Sequence, residues 1–301
     1  MKHLFLILVL LSLSGFGQTA EDYYNKGTSK FSLKDYNGAI AEFNTAIQLK
    51  PDYASAYNIR GPAKYCLKDY NGAIADYNKV IQLEPDDTDA YFNRAIAKND
   101  LQDYNGAIAD YNKVIQLKPD DAYAYCNRGN VKKNLKDYKG AITDFNNAIQ
   151  LKPDHAFAYN NRGIVKGVLQ DYNVAISDFN KAIQLNPYFV VAYFYRGNVK
   201  YYLQDYTGAM ADYNQAIQLK PDYAAAYNNR GCAKEDLKDY TGAIADYNQA
   251  IQIDPNNALA YNKRGIIKYY LKDKNGACAD WSKAGELGLS SAYTNIKENC
   301  K

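Results

Sequence analysis

The sequence is poor in the residues on which most catalytic and metal sites depend. Its 301 residues include two histidines, two methionines and one tryptophan. His3 falls in an N-terminal segment that we expect to be removed, so His155 is the only histidine of the mature chain. A Ser/His/Asp arrangement and a multi-histidine metal site are therefore nearly excluded. The glycines recur at fixed positions and form no phosphate-binding loop, so we expect no catalytic residue, no metal site and no cofactor.

An excess of charge of one sign is also missing. The chain has 36 Lys+Arg against 33 Asp+Glu, a net charge of +3. A protein that binds nucleic acid or an anionic membrane surface is expected to be strongly basic, so neither partner is expected. Hydrophobic residues make up 47% and aromatic residues 14% of the chain, a composition typical of a folded protein.

Long apolar runs are absent beyond the N-terminus. The stretch Leu4–Leu13 follows Lys2 and precedes Gly15 and Gly17, which is the layout of a secretory signal peptide. A helix that spans a bilayer needs roughly 20 apolar residues, and this stretch is much shorter. We therefore expect residues 1–17 to be a signal peptide and the mature protein to be exported, whether periplasmic, at the cell surface or secreted.

What the sequence does contain is a strict internal repeat of 34 residues. Seven of the eight prolines follow this period: Pro51, Pro85, Pro119, Pro153, Pro187, Pro221 and Pro255. Counting from Ala20, the period gives eight units: 20–53, 54–87, 88–121, 122–155, 156–189, 190–223, 224–257 and a degenerate unit at 258–289. We call each position within a unit a column, numbered from the first residue of the unit.

Each unit contains two helical patterns, helix A and helix B. In unit two, the second pattern places apolar residues from Tyr70 to Leu83 at a spacing near 3.6 residues. Asp69 is positioned as its N-cap, and Pro85 marks where the helix must end. A helix pair of this size cannot bury its apolar stripe alone, so the pattern predicts an all-α solenoid of stacked pairs.

This register resembles the tetratricopeptide repeat (TPR) family over nearly the whole mature chain. The matching residues in unit two are Tyr57, Gly61, Ala73, Tyr77, Val80 and Pro85. The resemblance implies a right-handed superhelix spanning 18–289 and a concave groove that holds peptides. The amphipathic stretch after it, with Ala292, Tyr293 and Ile296, predicts a capping helix at 290–301. The last unit departs from the pattern with Lys274, Trp281 and Leu289, and column 11 is lysine in all eight units where the family often has an aromatic residue.

Four columns account for the charge balance. Columns 7 and 11 are basic in every unit, and columns 16 and 23 are acidic in every unit. We expect ion pairs between helices or between repeats among these columns, each worth about 0–1 kcal/mol if exposed. A solvated charged face is the alternative.

Columns 2, 5, 9, 12 and 13 vary most and share one face of helix A. Of these 40 positions, six are charged and eleven are aromatic. A solvent-exposed face whose residues vary without selection would be rich in Lys and Glu. Two interpretations of this face therefore remain: recognition of a ligand, or added packing between repeats. The groove candidates are Phe92, Tyr123, Asn130, Phe157, Asn160, Phe194, Asn198, Tyr201, Tyr202, Tyr269 and Tyr270.

The charge of this face predicts what it binds. Lys133 is its only cation, so a clamp for a peptide carboxylate, which needs several Lys or Arg, is disfavoured. The predicted function is a non-catalytic adaptor that binds an apolar or mildly basic peptide segment of a protein partner. A glycan, stacked on the aromatic rings, and a self-associating envelope component are the alternatives.

Five cysteines in an exported chain indicate pairing. Cys278 and Cys300 are the candidate disulfide, with a pair of buried thiols as the alternative. Cys66, Cys126 and Cys232 lie in groove columns of units two, four and seven, too far apart to pair.

Pro62 is the only proline that does not follow the 34-residue period, and it is expected to kink helix A of unit two.

Overall fold

The structure, a computed structural model, describes residues 18–300; the predicted signal peptide at 1–17 lies outside the described residues. Within 18–300 the chain forms seventeen α-helices and no β-strand. The helices are α1 (Ala20–Ser32), α2 (Tyr36–Leu49), α3 (Ala54–Cys66), α4 (Tyr70–Leu83), α5 (Thr88–Asp100), α6 (Tyr104–Leu117), α7 (Ala122–Asn134), α8 (Tyr138–Leu151), α9 (Ala156–Val168), α10 (Tyr172–Leu185), α11 (Val190–Tyr202), α12 (Tyr206–Leu219), α13 (Ala224–Asp236), α14 (Tyr240–Ile253), α15 (Ala258–Tyr270), α16 (Lys274–Glu286) and α17 (Ser290–Asn299). No helix in the described range has both the length and the apolar character needed to cross a membrane.

The helices group into two compact sections, one up to Ala124 and one from Tyr125. In the N-terminal section, α1 pairs with α2, α3 with α4 and α5 with α6, and each pair packs on the next. In the C-terminal section, the same arrangement runs from α8 through the pairs α9/α10 to α15/α16 and ends with α17 against α16. Helices A and B of the predicted units are therefore antiparallel neighbours, as the 34-residue period predicts.

The helices begin and end where the repeated polar residues place them. The Asp69 side chain accepts a hydrogen bond from the Gly72 amide at 2.9 Å, and the aspartates of column 16 cap helix B in the same way in seven of the eight units. The turn between helices A and B contains one residue in the left-handed region, with φ from 62° to 68°. These residues are Lys34, Lys68, Gln102, Lys136, Gln170, Gln204, Lys238 and Lys272.

A glycine of helix A lies against an aromatic ring of helix B in seven of the eight units, and unit three has the buried Ala95 at this position. A Cβ on Gly61 would be 2.7 Å from a ring carbon of Tyr77, so no larger residue fits without movement. The ring side chains of column 24 and the alanines of column 20 are fully or almost fully buried. This contact sets the close approach of the two helices and forms the repeated core.

In units two to eight the predicted ion pairs form between columns 7 and 23, and they are buried, not surface pairs. In unit one, Lys30 of column 11 pairs with Glu42. Arg60 donates from Nε and Nη2 to both carboxylate oxygens of Asp76, and Lys64 lies 2.8 Å from the same carboxylate. Only 3% of the Asp76 side chain is exposed, so the alternative of a solvated charged face is wrong for column 23. The column 16 aspartates mostly cap helices instead of pairing.

The arginine of column 7 also joins one repeat to the next. Arg60 donates from Nη1 to Asn44 Oδ1 of the preceding unit at 2.6 Å, and its guanidinium lies 5.2 Å from the ring centre of Tyr57. The same asparagine contact recurs in units three, five, six, seven and eight. One arginine therefore contacts the carboxylate and the tyrosine of its own hairpin and the amide of its neighbour.

The C-terminal helix α17, ten residues long, follows the sequence pattern of a helix A. Ala292 is its third residue and is fully buried, as Ala56 is at the third position of α3. Tyr293 follows it, as tyrosine follows that alanine in every full unit after the first. Cys300 falls where the other units have the column 11 lysine. The repeat pattern therefore continues into the capping helix.

Cys278 and Cys300 form a disulfide, with their Cα atoms 5.7 Å apart. It joins α16 to the residue that follows α17, where the sequence left a bridge and a thiol pair open. Cys66, Cys126 and Cys232 are free thiols.

Helix α3 runs without interruption through Pro62 from Ala54 to Cys66.

Candidate functional site

The structure separates the predicted groove residues into exposed, half-buried and buried groups. The exposed group is Tyr123, Phe157, Tyr202, Tyr269 and Tyr270, and the half-buried group is Phe92, Asn130, Asn198 and Tyr201. Asn160 and Phe194 are buried, with 3% and 9% of their surface exposed. The helix-A face is therefore uneven, and its columns do not share one role.

Phe194 belongs to the packing between repeats, so its place among the groove residues is corrected. Its ring centre lies 6.1 Å from that of Tyr213 and 4.9 Å from that of Tyr223, the residue just before α13, and it shares a buried cluster with Ala226 of unit seven. Asn160, in the same column 5, is buried as well. Periodicity put column 5 on the variable face, but the Phe194 ring points into the contact with the following repeat. The alternative interpretation, packing between repeats, holds for Phe194.

The C-terminal section contains two adjoining cavities on the helix-A side of units five to eight. The first, which we call the Gly167 pocket, has a volume of about 410 Å³. It is bordered by parts of α9, the start of α10 and part of α11, and most of its lining is apolar or aromatic. The lining residues are Gly163, Ile164, Gly167, Val168, Gln170, Tyr172, Phe179, Tyr195, Asn198, Val199 and Tyr202.

The second cavity, which we call the Cys232 pocket, is smaller and more polar. It has a volume of about 210 Å³ and lies among α11, α13 and α15. Its lining residues are Asn198, Tyr201, Tyr202, Tyr213, Asn229, Cys232 and Lys263. Asn198 and Tyr202 line both cavities. We call the two pockets together the groove.

Hydrogen bonds fix the orientation of the amide between the two pockets. Asn198 Oδ1 accepts from the Tyr213 hydroxyl at 2.9 Å and from Asn229 Nδ2 at 2.8 Å. With the oxygen occupied by two donors, the Nδ2 group is the donor that Asn198 can offer to a ligand. A carbonyl oxygen placed in the groove would meet an amide that is already held in place, so little side-chain entropy would be lost on binding.

Two carboxylates lie near Lys263, the one charged residue that lines the Cys232 pocket. Lys263 Nζ lies 3.2 Å from Glu235 Oε2, which also accepts from the Tyr247 hydroxyl at 3.0 Å. Asp236 accepts a hydrogen bond from Tyr201. The single ammonium group is therefore already paired, and a second carboxylate stands beside it.

Burial and these neighbouring charges shift the pKa values of the residues in the Cys232 pocket. Burial lowers the pKa of Lys263, but Cys232, Glu235 and Asp236 raise it by more, so its net pKa is above the ordinary value. Burial raises the pKa of the Cys232 thiol, and burial with the Asp236 hydrogen bond raises that of Tyr201. At neutral pH the pocket therefore presents a charged lysine, a neutral thiol and neutral hydroxyls. A neutral thiol is a poor nucleophile, so this arrangement favours binding over covalent chemistry.

Of the predicted residues, only Asn198, Tyr201 and Tyr202 line the groove. The predicted set omitted Asn229, Lys263 and Tyr195, which all lie in column 6. A signal was present, because column 6 is asparagine in five units and departs from it at Ile59, Tyr195 and Lys263, of which the last two line the groove. Among the described residues, no group of three or more His, Cys, Asp or Glu side chains is arranged to hold a metal ion.

Comparison with known families identifies the repeats. A profile described as TPR repeat matches residues 27–67, 61–99, 97–136, 197–237 and 236–271. Two further profiles described as tetratricopeptide repeat match residues 122–155 and 158–189. The matches of the first profile alone cover more than half of the chain. A comparison with curated proteins gives no significant match.

Solved structures share the fold at low sequence identity. A chain of the Cut9–Hcn1 hetero-tetramer of the APC/C is 16% identical with a TM-score of 0.68 over 96% of this chain, which spans 57% of that chain's length. A tetratricopeptide repeat protein from Parabacteroides merdae is 20% identical with a TM-score of 0.68 over 83% of this chain and 99% of its own.

A third structure, YrrB, is described as a TPR protein with an unusual peptide-binding site. It is 24% identical with a TM-score of 0.50 over 61% of this chain and 95% of its own. Such identities show a shared fold and leave the ligand to be argued from this chain's own residues. On the repeats, the helix pairs and these matches together, the chain belongs to the tetratricopeptide repeat family and folds as an all-α TPR solenoid.

Proposed function

We propose that the protein is a non-catalytic adaptor that holds an extended peptide segment of a protein partner in the groove. The observation that carries this proposal is the position of Asn198, whose oriented amide stands between an apolar pocket and a polar one. A peptide presents the matching pattern, since backbone carbonyls alternate along the chain with side chains of different polarity. Membership of the TPR family, whose proteins bind protein partners, supports the same choice.

The charge of the groove supports an apolar or mildly basic peptide. Glu235 and Asp236 face the one ammonium group of Lys263, which Glu235 already binds. A carboxylate ligand would meet a neutralised cation and a second anion, so an acidic segment or a free C-terminus fits poorly. A Lys or Arg side chain of the partner would instead find an acceptor.

A glycan is the second candidate, favoured by the exposed rings beside the pockets. Tyr202 and Tyr270 are 69% and 65% exposed, and such rings can stack on sugar faces. Self-association through α1 has less support, because its outer face carries exposed Asp22 and Ser29. The matching positions of α3 are the buried Ala56 and Ala63.

We also propose that the protein is exported and acts outside the cytoplasm. Two observations support export: the signal-peptide layout of Lys2 and Leu4–Leu13, and the disulfide between Cys278 and Cys300, which suits an oxidising compartment. N-terminal sequencing of the protein recovered from its native cells is expected to begin near Gln18. A chain that still begins at Met1 would contradict export by cleavage.

A random peptide library displayed on phage tests the binding proposal. The full-length protein is expected to enrich peptides that the Tyr202→Ala variant does not retain. Tyr188→Ala is the matched control, because Tyr188 is 78% exposed and lines neither pocket. If no peptide is enriched, or if Tyr202→Ala and wild type retain the same peptides, peptide binding in the groove is wrong. Binding of cell-wall glycans in isothermal titration that is lost in Tyr202→Ala would then select the glycan.

A further inference from the structure

The Gly167 pocket exists because one side chain is missing. Column 12 carries Phe31, Tyr65, Asn99, Lys133, Tyr201, Glu235 and Tyr269 in the other seven units, and glycine only in unit five. A Cβ built on Gly167 would contact only Val199 Cγ2, at 3.4 Å, so open space lies where the rest of a side chain would extend. That space is the cavity of about 410 Å³.

The other units show what chemistry fills this position. Where column 12 is aromatic and column 17 is tyrosine, the two rings pack face to edge or tilted, with centres 5.3–5.5 Å apart. These pairs are Phe31 with Tyr36, Tyr65 with Tyr70, and Tyr201 with Tyr206. The column 17 tyrosine is thus built to receive an aromatic ring from column 12.

In unit five, that receiving ring has no column 12 partner. Tyr172 lines the Gly167 pocket and stacks at 6.3 Å on Tyr202, a residue of the following unit that is itself 69% exposed. The two tyrosines and the aliphatic side chains of Ile164 and Val199 leave an aromatic-lined space next to the Asn198 amide.

We propose that the Gly167 pocket receives an aromatic side chain of the bound peptide, which takes the place that column 12 rings occupy elsewhere in the molecule. This inference rests on the proposed function, because it names the residue by which that peptide is anchored. Asn198 Nδ2 donates to a backbone carbonyl next to the anchor. A Lys or Arg side chain of the peptide then extends toward Glu235 and Asp236, so the recognised segment combines one aromatic residue with a nearby cation.

Filling the pocket tests the anchor. Gly167→Tyr supplies the ring that units two and six carry at this column and is expected to pack on Tyr172 without unfolding the hairpin. Peptides enriched by the wild-type protein are expected to share a Phe, Tyr or Trp at one position. Their affinity is expected to fall by about tenfold or more in Gly167→Tyr. Gly167→Ala is the matched control, because its single methyl leaves the cavity open, and its affinity should stay within about threefold of wild type.

The outcomes distinguish the anchor from the groove. If enriched peptides bind Gly167→Tyr as tightly as wild type, or share no aromatic residue, while Tyr202→Ala still abolishes binding, the groove stands and the anchor is wrong. If no variant changes binding, or nothing binds, both fail. Circular dichroism of Gly167→Tyr with an unchanged thermal midpoint shows that lost affinity comes from the filled pocket, and alanine replacement of the shared aromatic residue of the peptide should lower affinity to the same extent.

Discussion

At the scale of single residues, one buried carboxylate holds together each hairpin from unit two to unit eight. Asp246 binds Arg230 through two hydrogen bonds and Lys234 through a third contact at 2.8 Å, with 4% of its side chain exposed. The guanidinium is in turn placed over Tyr227. Removing the carboxylate leaves two cations in a partly buried site, which costs far more than breaking a surface pair.

The first prediction compares this buried pair with an exposed one. Asp246→Ala is expected to lower the free energy of unfolding by about 3–5 kcal/mol, because an unpaired charge stays behind. Glu286→Ala removes the exposed partner of Lys283, and a change below about 1 kcal/mol is expected. Urea denaturation followed by circular dichroism measures both. An equal decrease in the free energy of unfolding for the two variants would show that the buried pair stabilises the protein no more than the exposed one.

The second prediction concerns the three free thiols. Cys66 is exposed, whereas burial raises the pKa of Cys126 to about 12 and also raises that of Cys232. At pH 8 a raised pKa means less thiolate, so iodoacetamide should modify Cys66 first and Cys126 last.

Mass spectrometry gives the order of modification and the number of thiols. The unfolded, unreduced protein is expected to take up three alkyl groups, since Cys278 and Cys300 are bonded. Five alkyl groups would contradict the disulfide, and rapid loss of the Cys126 thiol in the folded protein would contradict its burial.

The sequence predicted some of these residue roles and missed others for identifiable reasons. Opposite charges in columns 7 and 23 predicted pairs, but periodicity gives no burial, so the sequence did not show that these pairs are buried. Phe194 and Asn160 shared a helical face with Tyr202, yet the first two are buried. Phe194 is buried by Tyr223 and by Ala226 of the next repeat, and a helical wheel of one helix cannot show contacts with another helix.

At the scale of helices, unit five shows how one substitution removes a cap. In the other units the column 16 aspartate caps helix B by accepting a hydrogen bond from the amide of a glycine three residues later. A Cβ on that glycine would collide with the carboxylate; on Gly140 it would be 2.1 Å from Asp137 Oδ2. Unit five has Val174 at that position, and its Asp171 makes no capping hydrogen bond. Asp171 instead pairs with Lys166 at 2.9 Å. The valine therefore accounts for the displaced carboxylate.

The third prediction uses this natural difference. Asp137→Ala removes a cap from α8 and should lower the free energy of unfolding by about 1 kcal/mol. Asp171→Ala removes no cap from α10, and the loss should be about 0–0.5 kcal/mol, the value of a partly exposed pair. Chemical denaturation of the two variants side by side is the measurement. A larger loss for Asp171→Ala than for Asp137→Ala would overturn this explanation.

Helix positions were the most predictable feature of the chain. The repeated prolines, caps and apolar spacing located helices A and B of each unit, because these signals act within a few residues. The helix-A pattern of α17 was less visible, since Leu289 replaces proline and Ile296 and Cys300 replace the basic residues of columns 7 and 11. The Ala292–Tyr293 pair was the signal that could have revealed it.

At the scale of the molecule, the last repeat is closed by α17. Ala292 and Ile296 pack against Trp281 and Ala284 of α16, and the Tyr293 hydroxyl donates to the Gly285 carbonyl at 3.0 Å. The disulfide closes a loop of 22 residues over this contact. The covalent bond therefore restrains the end of α17 in addition to these contacts.

The fourth prediction therefore concerns the disulfide. Replacing Cys278 and Cys300 by serine should destabilise the C-terminal repeat by about 3 kcal/mol, chiefly because the unfolded end gains conformational freedom. Hydrogen exchange of α17 amides should become faster, while exchange in α3 and α4 stays unchanged. Unchanged protection of α17 would show that packing on Trp281 alone holds the cap.

The groove in units five to eight is the central claim for the whole molecule. It combines Asn198, held by two donors, with an aromatic pocket at Gly167 and an acidic margin at Glu235 and Asp236. Hydrogen exchange with and without the tightest library peptide tests it most directly. The account predicts added protection in α9, α11, α13 and α15 and none in α2 or α4. Protection confined to other helices, or an unchanged pattern with peptide bound, would contradict it.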